Sequence, residues 1–115
     1  MWHQMLAQQG YAVFIVDPRS CSHRSGKQAW PIFRNFATAE LNDILASIKH
    51  VKQEGWVDED RLGIWGWSYG GYMTAFAMTH SEIFKMGISG APVTDWKNYD
   101  AIYTCLLYTS PSPRD

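Results

Sequence analysis

A chain of 115 residues, 46% of them apolar and 15% aromatic, can bury one hydrophobic core but is too short for two ordinary domains. Its formal net charge is -1 with acidic and basic residues interspersed, so it offers no basic face to nucleic acid or to anionic lipid. No apolar run reaches the ~20 residues of a membrane-spanning helix, and residues 1–10 lack the pattern of a signal peptide.

The first half of the chain alternates between helical and strand patterns. A helix is predicted over residues 1–9, with Gly10 at its end. The continuous apolar run at 11–16 is typical of a strand buried on both faces of a sheet. An irregular crossover at 18–35 leads to a second helix, whose apolar residues recur at helical spacing over 41–51.

The second half continues the alternation. A turn at 58–60 precedes a second buried strand at 62–67, and small and apolar residues then return to helical spacing from 69 to about 80. A third short strand is predicted at 86–90. Because parallel strands are joined by right-handed crossovers, the order α-β-α-β-α-β predicts a mostly parallel sheet with helices on both faces.

The turn between the second strand and the third helix carries the pentad GWSYG, residues 66–70. A G-x-S-x-G pattern alone is weak evidence, because it can arise by chance. Between a buried strand and a helix it is typical of a nucleophile elbow, whose strained turn exposes the serine Oγ. The two glycines of the pentad and Gly71 would avoid Cβ clashes where strand and helix approach. Ser68 is therefore predicted to be a nucleophile, with the backbone N–H of Tyr69 as an oxyanion donor. The alternative, a serine that only caps the helix, gives no reason for Gly71.

The motif WGWSYGGY at 65–72 resembles the nucleophile motif of the prolyl oligopeptidase family of serine peptidases, most closely its dipeptidyl peptidase IV branch. Residues 57–61 and 91–104 extend the likeness on either side. The loop at 17–20 departs from it, because the family more often has a glycine there. The resemblance implies a partial α/β-hydrolase fold, with residues 1–104 as the central fragment of a peptidase domain.

In that branch the matching positions of the segment after the third strand, together with the residue after the serine, form a pocket for a proline ring. The resemblance implies the same role here for Tyr69, Val93, Trp96, Tyr99 and Tyr103. Aromatic faces and a valine make a flat apolar slot that suits a pyrrolidine ring. An ordinary aromatic core cluster is the alternative, since Tyr99 and Tyr103 would also be neighbours on a helix.

The partners of the serine are not evident in this sequence. A hydrolase of this fold orders its triad as serine, acid and histidine, and the only histidine after Ser68 is His80, about 18 Å further along a helix. Asp95 and Asp100 are expected to be structural polar residues. The resemblance places the triad acid and histidine after residue 104 and a second oxyanion donor before residue 1, so we expect this chain alone to be inactive.

The last residues, CLLYTSPSPRD at 105–115, can be encoded residue for residue by a sequencing adapter. We therefore predict a peptidase-domain fragment over 1–104, followed by a tail at 105–115 that is not part of the fold. A natural tail rich in proline and serine is the alternative.

The predicted function is hydrolysis of peptide bonds through an acyl-enzyme, with release of N-terminal dipeptides after proline or alanine. The alternatives are an oligopeptidase or acylaminoacyl-peptidase, an esterase of the same fold, and a catalytically inactive binding protein. The expected partner is a peptide substrate rather than nucleic acid, and the resemblance is compatible with a homodimeric parent protein. Two cysteines and no zinc-ligand spacing give no reason to expect a metal or another cofactor.

Overall fold

The computed structural model describes residues 1–19 and 35–100. Its elements in chain order are helix α1 (Trp2–Gln8), helix α2 (Thr38–Lys52), a 3₁₀ turn (Glu59–Arg61), strand β1 (Gly63–Trp67), helix α3 (Tyr69–His80), strand β2 (Met86–Gly90) and a second 3₁₀ turn (Trp96–Asn98). The three predicted helices and the second and third predicted strands are confirmed, with bounds within a few residues of those expected. The burial predicted for the second strand is not found, because Gly63, Trp65 and Trp67 of β1 are exposed in the described part of the chain.

Strands β1 and β2 form a parallel pair in which Gly63 lies opposite Met86 and Trp67 lies opposite Gly90. Parallel neighbours need a crossover between them, and α3 provides it by returning across the strands that it joins. The carboxyl ends of both strands therefore lie at the same edge of the sheet. The turn into α3 begins at that edge.

Helices lie on both faces of this small sheet, as the sequence predicts, but they bury only one of them, since Trp65 and Trp67 on the other face are 50% and 71% exposed. On one face, α2 and α3 bury a cluster of apolar side chains against Ile64 of β1; its fully buried members are Ala37, Leu41, Met73, Ala77 and Phe84. Because side chains alternate along a strand, Trp65 points to the other face, where its ring meets Trp2 of α1 edge-on at 6.3 Å.

The predicted strand at 11–16 is not formed. Residues 11–18 have no regular secondary structure, and in the part of the chain that the structure describes β1 and β2 pair only with each other. Tyr11 and Ile15 are 60% and 67% exposed, rather than buried on two faces. An apolar, β-branched run favours a strand only where a neighbour supplies ladder hydrogen bonds, and within the described residues it has none.

The segment at 11–19 is instead attached to α2 at its end. Arg19 forms an ion pair with Asp43, in which Nε donates to Oδ2 at 2.8 Å and Nη2 donates to Oδ1 at 2.5 Å. The backbone N–H of Arg19 donates to the same carboxylate at 3.0 Å.

In the described residues, no helix has both the length and the apolar composition that a bilayer crossing requires.

Candidate active site

Ser68 is the single residue between the end of β1 and the start of α3. Its backbone has φ 57° and ψ -115°, a combination that a residue with a Cβ rarely adopts. Such a conformation costs on the order of 1–3 kcal/mol and persists only where the surrounding structure holds it. Here the backbone N–H of Ser68 donates to the carbonyl oxygen of Gly90 at 2.9 Å, and its carbonyl oxygen accepts from the N–H of Tyr72 at 3.1 Å.

Two glycines permit the close approach of α3 to the sheet. A Cβ on Gly66 would lie 2.5 Å from the backbone carbon and oxygen of Gly70, and a Cβ on Gly71 would overlap the carbonyl oxygen of Gly90. The prediction for the third glycine needs correction, because a Cβ on Gly70 would meet no atom of the described residues within 4 Å. The backbone of Gly70 lies against Gly66, so the contact requires a glycine at position 66 but not at position 70.

The side chain of Ser68 does not cap the helix. Ser68 occupies the N-cap position of α3, yet its hydroxyl makes no capping hydrogen bond. By contrast, Asp58 and Asp95 each accept from a backbone N–H two residues further on, at 3.0 and 2.9 Å, and so cap the two 3₁₀ turns. The alternative that Ser68 only caps the helix is therefore wrong. Asp95 has a structural role, as expected, because its carboxylate caps the second 3₁₀ turn.

An aromatic cluster lies directly after the serine. The ring of Tyr69 is 5.9 Å from that of Trp96 and 5.7 Å from that of Tyr72, and Trp96 meets Tyr99 edge-on at 5.9 Å. Of the five predicted pocket residues, the structure thus brings together Tyr69, Trp96 and Tyr99.

Of the other two predicted pocket residues, the structure describes Val93 but not Tyr103. Val93 is 8% exposed, in the segment between β2 and Trp96. Tyr103 lies outside the described residues. The role of the cluster as a substrate pocket stays a prediction.

Two residues at the start of α2 belong to the same cluster, and the sequence analysis did not identify them. The carboxylate of Glu40 is completely buried, and its Oε1 accepts a short hydrogen bond from the hydroxyl of Tyr69. The ring of Phe36 stacks on Trp96 with centroids 4.8 Å apart. Their local pattern carries no clear signal, since an acidic residue in the first turn is ordinary for any helix.

His80 lies at the other end of α3. Its ring stacks on Phe76 at 3.8 Å, and Nδ1 is 3.0 Å from the carbonyl oxygen of the same residue. Within residues 1–19 and 35–100, no hydrogen bond joins the Oγ of Ser68 to a histidine or a carboxylate. The described residues therefore contain the elbow without an assembled triad.

A serine with positive φ between a parallel strand and a helix, with glycines at the close approaches, defines the elbow of an α/β-hydrolase fold. The sequence profile of the prolyl oligopeptidase family matches residues 2–114 of this chain. The chain belongs to the prolyl oligopeptidase family of serine peptidases, and the family assignment made from the motif at 65–72 is confirmed.

Known members of the family are similar over most of this chain. Venom dipeptidyl peptidase 4 of Apis mellifera is 39% identical over 103 residues, which cover 87% of this chain and 13% of that protein. Prolyl endopeptidase FAP of Bos taurus is 35% identical over 116 residues, covering 99% of this chain and 15% of that protein. The solved structure of Pyrococcus horikoshii acylaminoacyl peptidase has a TM-score of 0.76 and 36% identity, over 81% of this chain and 15% of that one. This chain spans only about one seventh of the length of such relatives.

Proposed function

We propose that Ser68 is the nucleophile of a serine peptidase, to which this chain contributes the elbow and one side of the substrate pocket. The positive φ of Ser68 is the observation that carries the proposal. A strained backbone at a serine that caps no helix is uncommon, and it is what an exposed nucleophile on an elbow requires.

The proposed mechanism begins with attack of the Ser68 Oγ on the carbonyl carbon of the scissile bond, while a histidine base removes the hydroxyl proton. The oxyanion of the tetrahedral intermediate accepts a hydrogen bond from the backbone N–H of Tyr69, at the start of α3, where the helix dipole favours negative charge. The histidine then gives its proton to the leaving amine as the C–N bond breaks. Water hydrolyses the resulting ester and regenerates Ser68.

The histidine and its acid belong, in this proposal, to a longer protein. Residues 1–104 would be the central fragment of its peptidase domain, and the 115-residue chain by itself would be inactive. The short span of the chain relative to its relatives supports this view. Two observations stand against the proposal that 105–115 lies outside the fold: the family match extends to residue 114, and the alignment with prolyl endopeptidase FAP covers 99% of this chain.

The source DNA decides this part of the proposal. Sequencing through the codon for Thr104, with a method that uses no such adapter, should reveal a frame that continues to an aspartate and then a histidine. A gene that ends in CLLYTSPSPRD would show that residues 105–115 belong to the natural protein. It would also reject the proposal of a longer peptidase.

For specificity, we propose cleavage after proline or alanine with release of an N-terminal dipeptide. The ring of Trp96 lies 5.9 Å from those of both Tyr69 and Tyr99, and the apolar surface that the three rings form would line a flat slot for a pyrrolidine ring. Two of the similar proteins are named dipeptidyl peptidase 4 and prolyl endopeptidase, which is consistent with such a slot.

The second candidate is an acylaminoacyl peptidase, which the similarity to the Pyrococcus horikoshii structure favours. The two candidates differ in the amino end of the substrate that they accept. Release of p-nitroaniline from an aminoacyl-proline p-nitroanilide with a free amine supports the first, and its release only from an N-acetyl-amino acid p-nitroanilide supports the second.

The test of the nucleophile uses the complete protein, meaning the translation of the uninterrupted frame that contains residues 1–104. A fluorophosphonate probe should label it at Ser68, and Ser68→Ala should abolish both labelling and hydrolysis. Ser47→Ala is the matched control, because the Ser47 hydroxyl only donates to the backbone of Asp43 in α2. Undiminished labelling of Ser68→Ala would reject the proposal.

A further inference from the structure

Glu40 is the one fully buried carboxylate in the described residues, with no exposed surface. Its Oε1 accepts from the hydroxyl of Tyr69, 29 residues away in sequence. Its Oε2 is also buried and has no hydrogen-bond partner in the part of the chain that the structure describes. Burial of a carboxylate is costly, and the hydrogen bond from Tyr69 together with the positive charge of Arg19 offsets part of that cost.

The backbone before Glu40 is strained as well. Ala37, at the N-cap of α2, has φ 70° and is completely buried. The described residues contain three non-glycine positions with positive φ: Ala37, Ser68 and Ala91. Ser68 forms the elbow, Ala91 begins the segment that leads to Trp96, and Ala37 lies between Phe36 and Glu40. Strain of this kind concentrates at functional sites, and here Ala37 directly follows Phe36 and Ser68 directly precedes Tyr69, both members of the aromatic cluster.

The start of α2 holds the cluster from two sides. Phe36 stacks on Trp96, while Glu40 holds the hydroxyl of Tyr69. Between these two contacts the rings of Tyr69 and Trp96 pack against each other, tilted by 53° with their centroids 5.9 Å apart. Because Glu40 holds the hydroxyl end of the Tyr69 ring, it fixes the position of one of the rings that would line the proposed slot.

We propose that Glu40 is a positioning residue that sets the proline selectivity of the pocket by holding the ring of Tyr69 against Trp96. This inference rests on the proposed function, in which Tyr69 lines the pocket. Glu40 touches no substrate in this scheme. Its carboxylate acts only through the tyrosine hydroxyl, and the shape of the slot, rather than the attack by Ser68, depends on it.

The test compares aminoacyl-proline and aminoacyl-alanine p-nitroanilides with a free amine in the complete protein, with active sites counted by the fluorophosphonate probe. Glu40→Ala should lower kcat/KM for the proline substrate by about tenfold, mainly through KM, because it removes the hydrogen bond that holds the ring of Tyr69. The alanine substrate should lose much less, so the proline-to-alanine ratio falls. Glu40→Gln keeps an acceptor oxygen and should stay within about threefold of the wild type.

Tyr69→Phe separates positioning from general stability. It removes the hydroxyl and keeps the ring, so it should lower the same ratio. The double variant Glu40→Ala/Tyr69→Phe should be no less selective than either single variant, because both remove one interaction. Asp58→Asn is the control, since it also turns a carboxylate into an amide but its hydrogen bonds are with Asp60 and Arg61. It should lower the unfolding temperature without changing the ratio.

The outcomes distinguish this inference from the function on which it rests. A wild type that the probe does not label and that cleaves neither substrate overturns the proposed function and the inference with it. An active wild type whose Glu40→Ala variant keeps the proline-to-alanine ratio overturns the inference alone. If Glu40→Ala does not fold, an unchanged proline-to-alanine ratio in Tyr69→Phe would overturn the inference instead.

Discussion

The backbone N–H of Ser68 donates to the carbonyl oxygen of Gly90 at 2.9 Å, so the residue after β1 is attached to the last residue of β2. The same carbonyl oxygen faces Gly71, where a Cβ would overlap it. One carbonyl group therefore holds the strained serine and limits the size of the residue three positions later. The geometry of the elbow depends on this approach of α3 to β2.

Gly71→Ala should disrupt the elbow, whereas Gly70→Ala should not. The added methyl group at Gly71 displaces α3 from β2, and overpacking of this kind costs about 1–3 kcal/mol. At Gly70 a Cβ meets no described atom within 4 Å, and alanine favours a helix over glycine by about 1 kcal/mol. Urea unfolding of the complete protein measures both. Equal losses of stability in the two variants would contradict the close approach seen here.

Ser68→Gly should be more stable than Ser68→Ala. Both variants lose the hydroxyl, but only glycine adopts φ 57° without strain, so we expect a difference of about 1 kcal/mol or more in the free energy of unfolding. Neither variant should react with a fluorophosphonate. Equal unfolding midpoints for the two would show that Ser68 is not strained.

The elbow was predictable from sequence because its determinants are local. An apolar strand, a serine and glycines at fixed offsets lie within about ten residues, and the structure places them as expected. The apolar run at 11–16 was not predictable in the same way, because a strand also needs a neighbour. Glu40 could not be found from its pattern either, since its partner Tyr69 is 29 residues away and only the folded chain brings them together.

Stability at low pH should depend on Asp58, which precedes β1. The hydrogen bond from Arg61, followed by that from the backbone N–H of Asp60, lowers the pKa of the Asp58 carboxyl below its ordinary value of 3.8. A lowered folded-state pKa gives stability that is present above the unfolded-state value and is lost as the pH falls through the folded-state value. The contribution of Asp58 should therefore be complete near neutrality and disappear below about pH 4.

Asp58→Asn and Arg61→Ala provide the measurement. Urea midpoints recorded between about pH 2 and pH 7 should show both variants less stable than the wild type at neutral pH and converging with it in acid. Because the ion pair is exposed, the difference should be small. A difference that stays constant or grows as the pH falls would contradict the assignment to Asp58.

The ion pair of Arg19 with Asp43 should protect the peptide bond after Arg19 from trypsin. Trypsin must bind the arginine side chain, and here both Nε and Nη2 of Arg19 already donate to the carboxylate of Asp43. The guanidinium is charged at the pH of the digestion in any surroundings, and the contact with Asp43 raises the pKa of Arg19 further. Asp43→Asn weakens this contact and should accelerate cleavage at Arg19 up to about fivefold, as expected for a pair that is partly exposed to solvent.

Ser47→Ala is the control. It lies one turn further along α2, leaves the carboxylate of Asp43 in place and should be cleaved at the wild-type rate. Mass spectrometry of the early fragments measures both rates, and equal cleavage in the two variants would mean that Asp43 does not restrain Arg19 in solution.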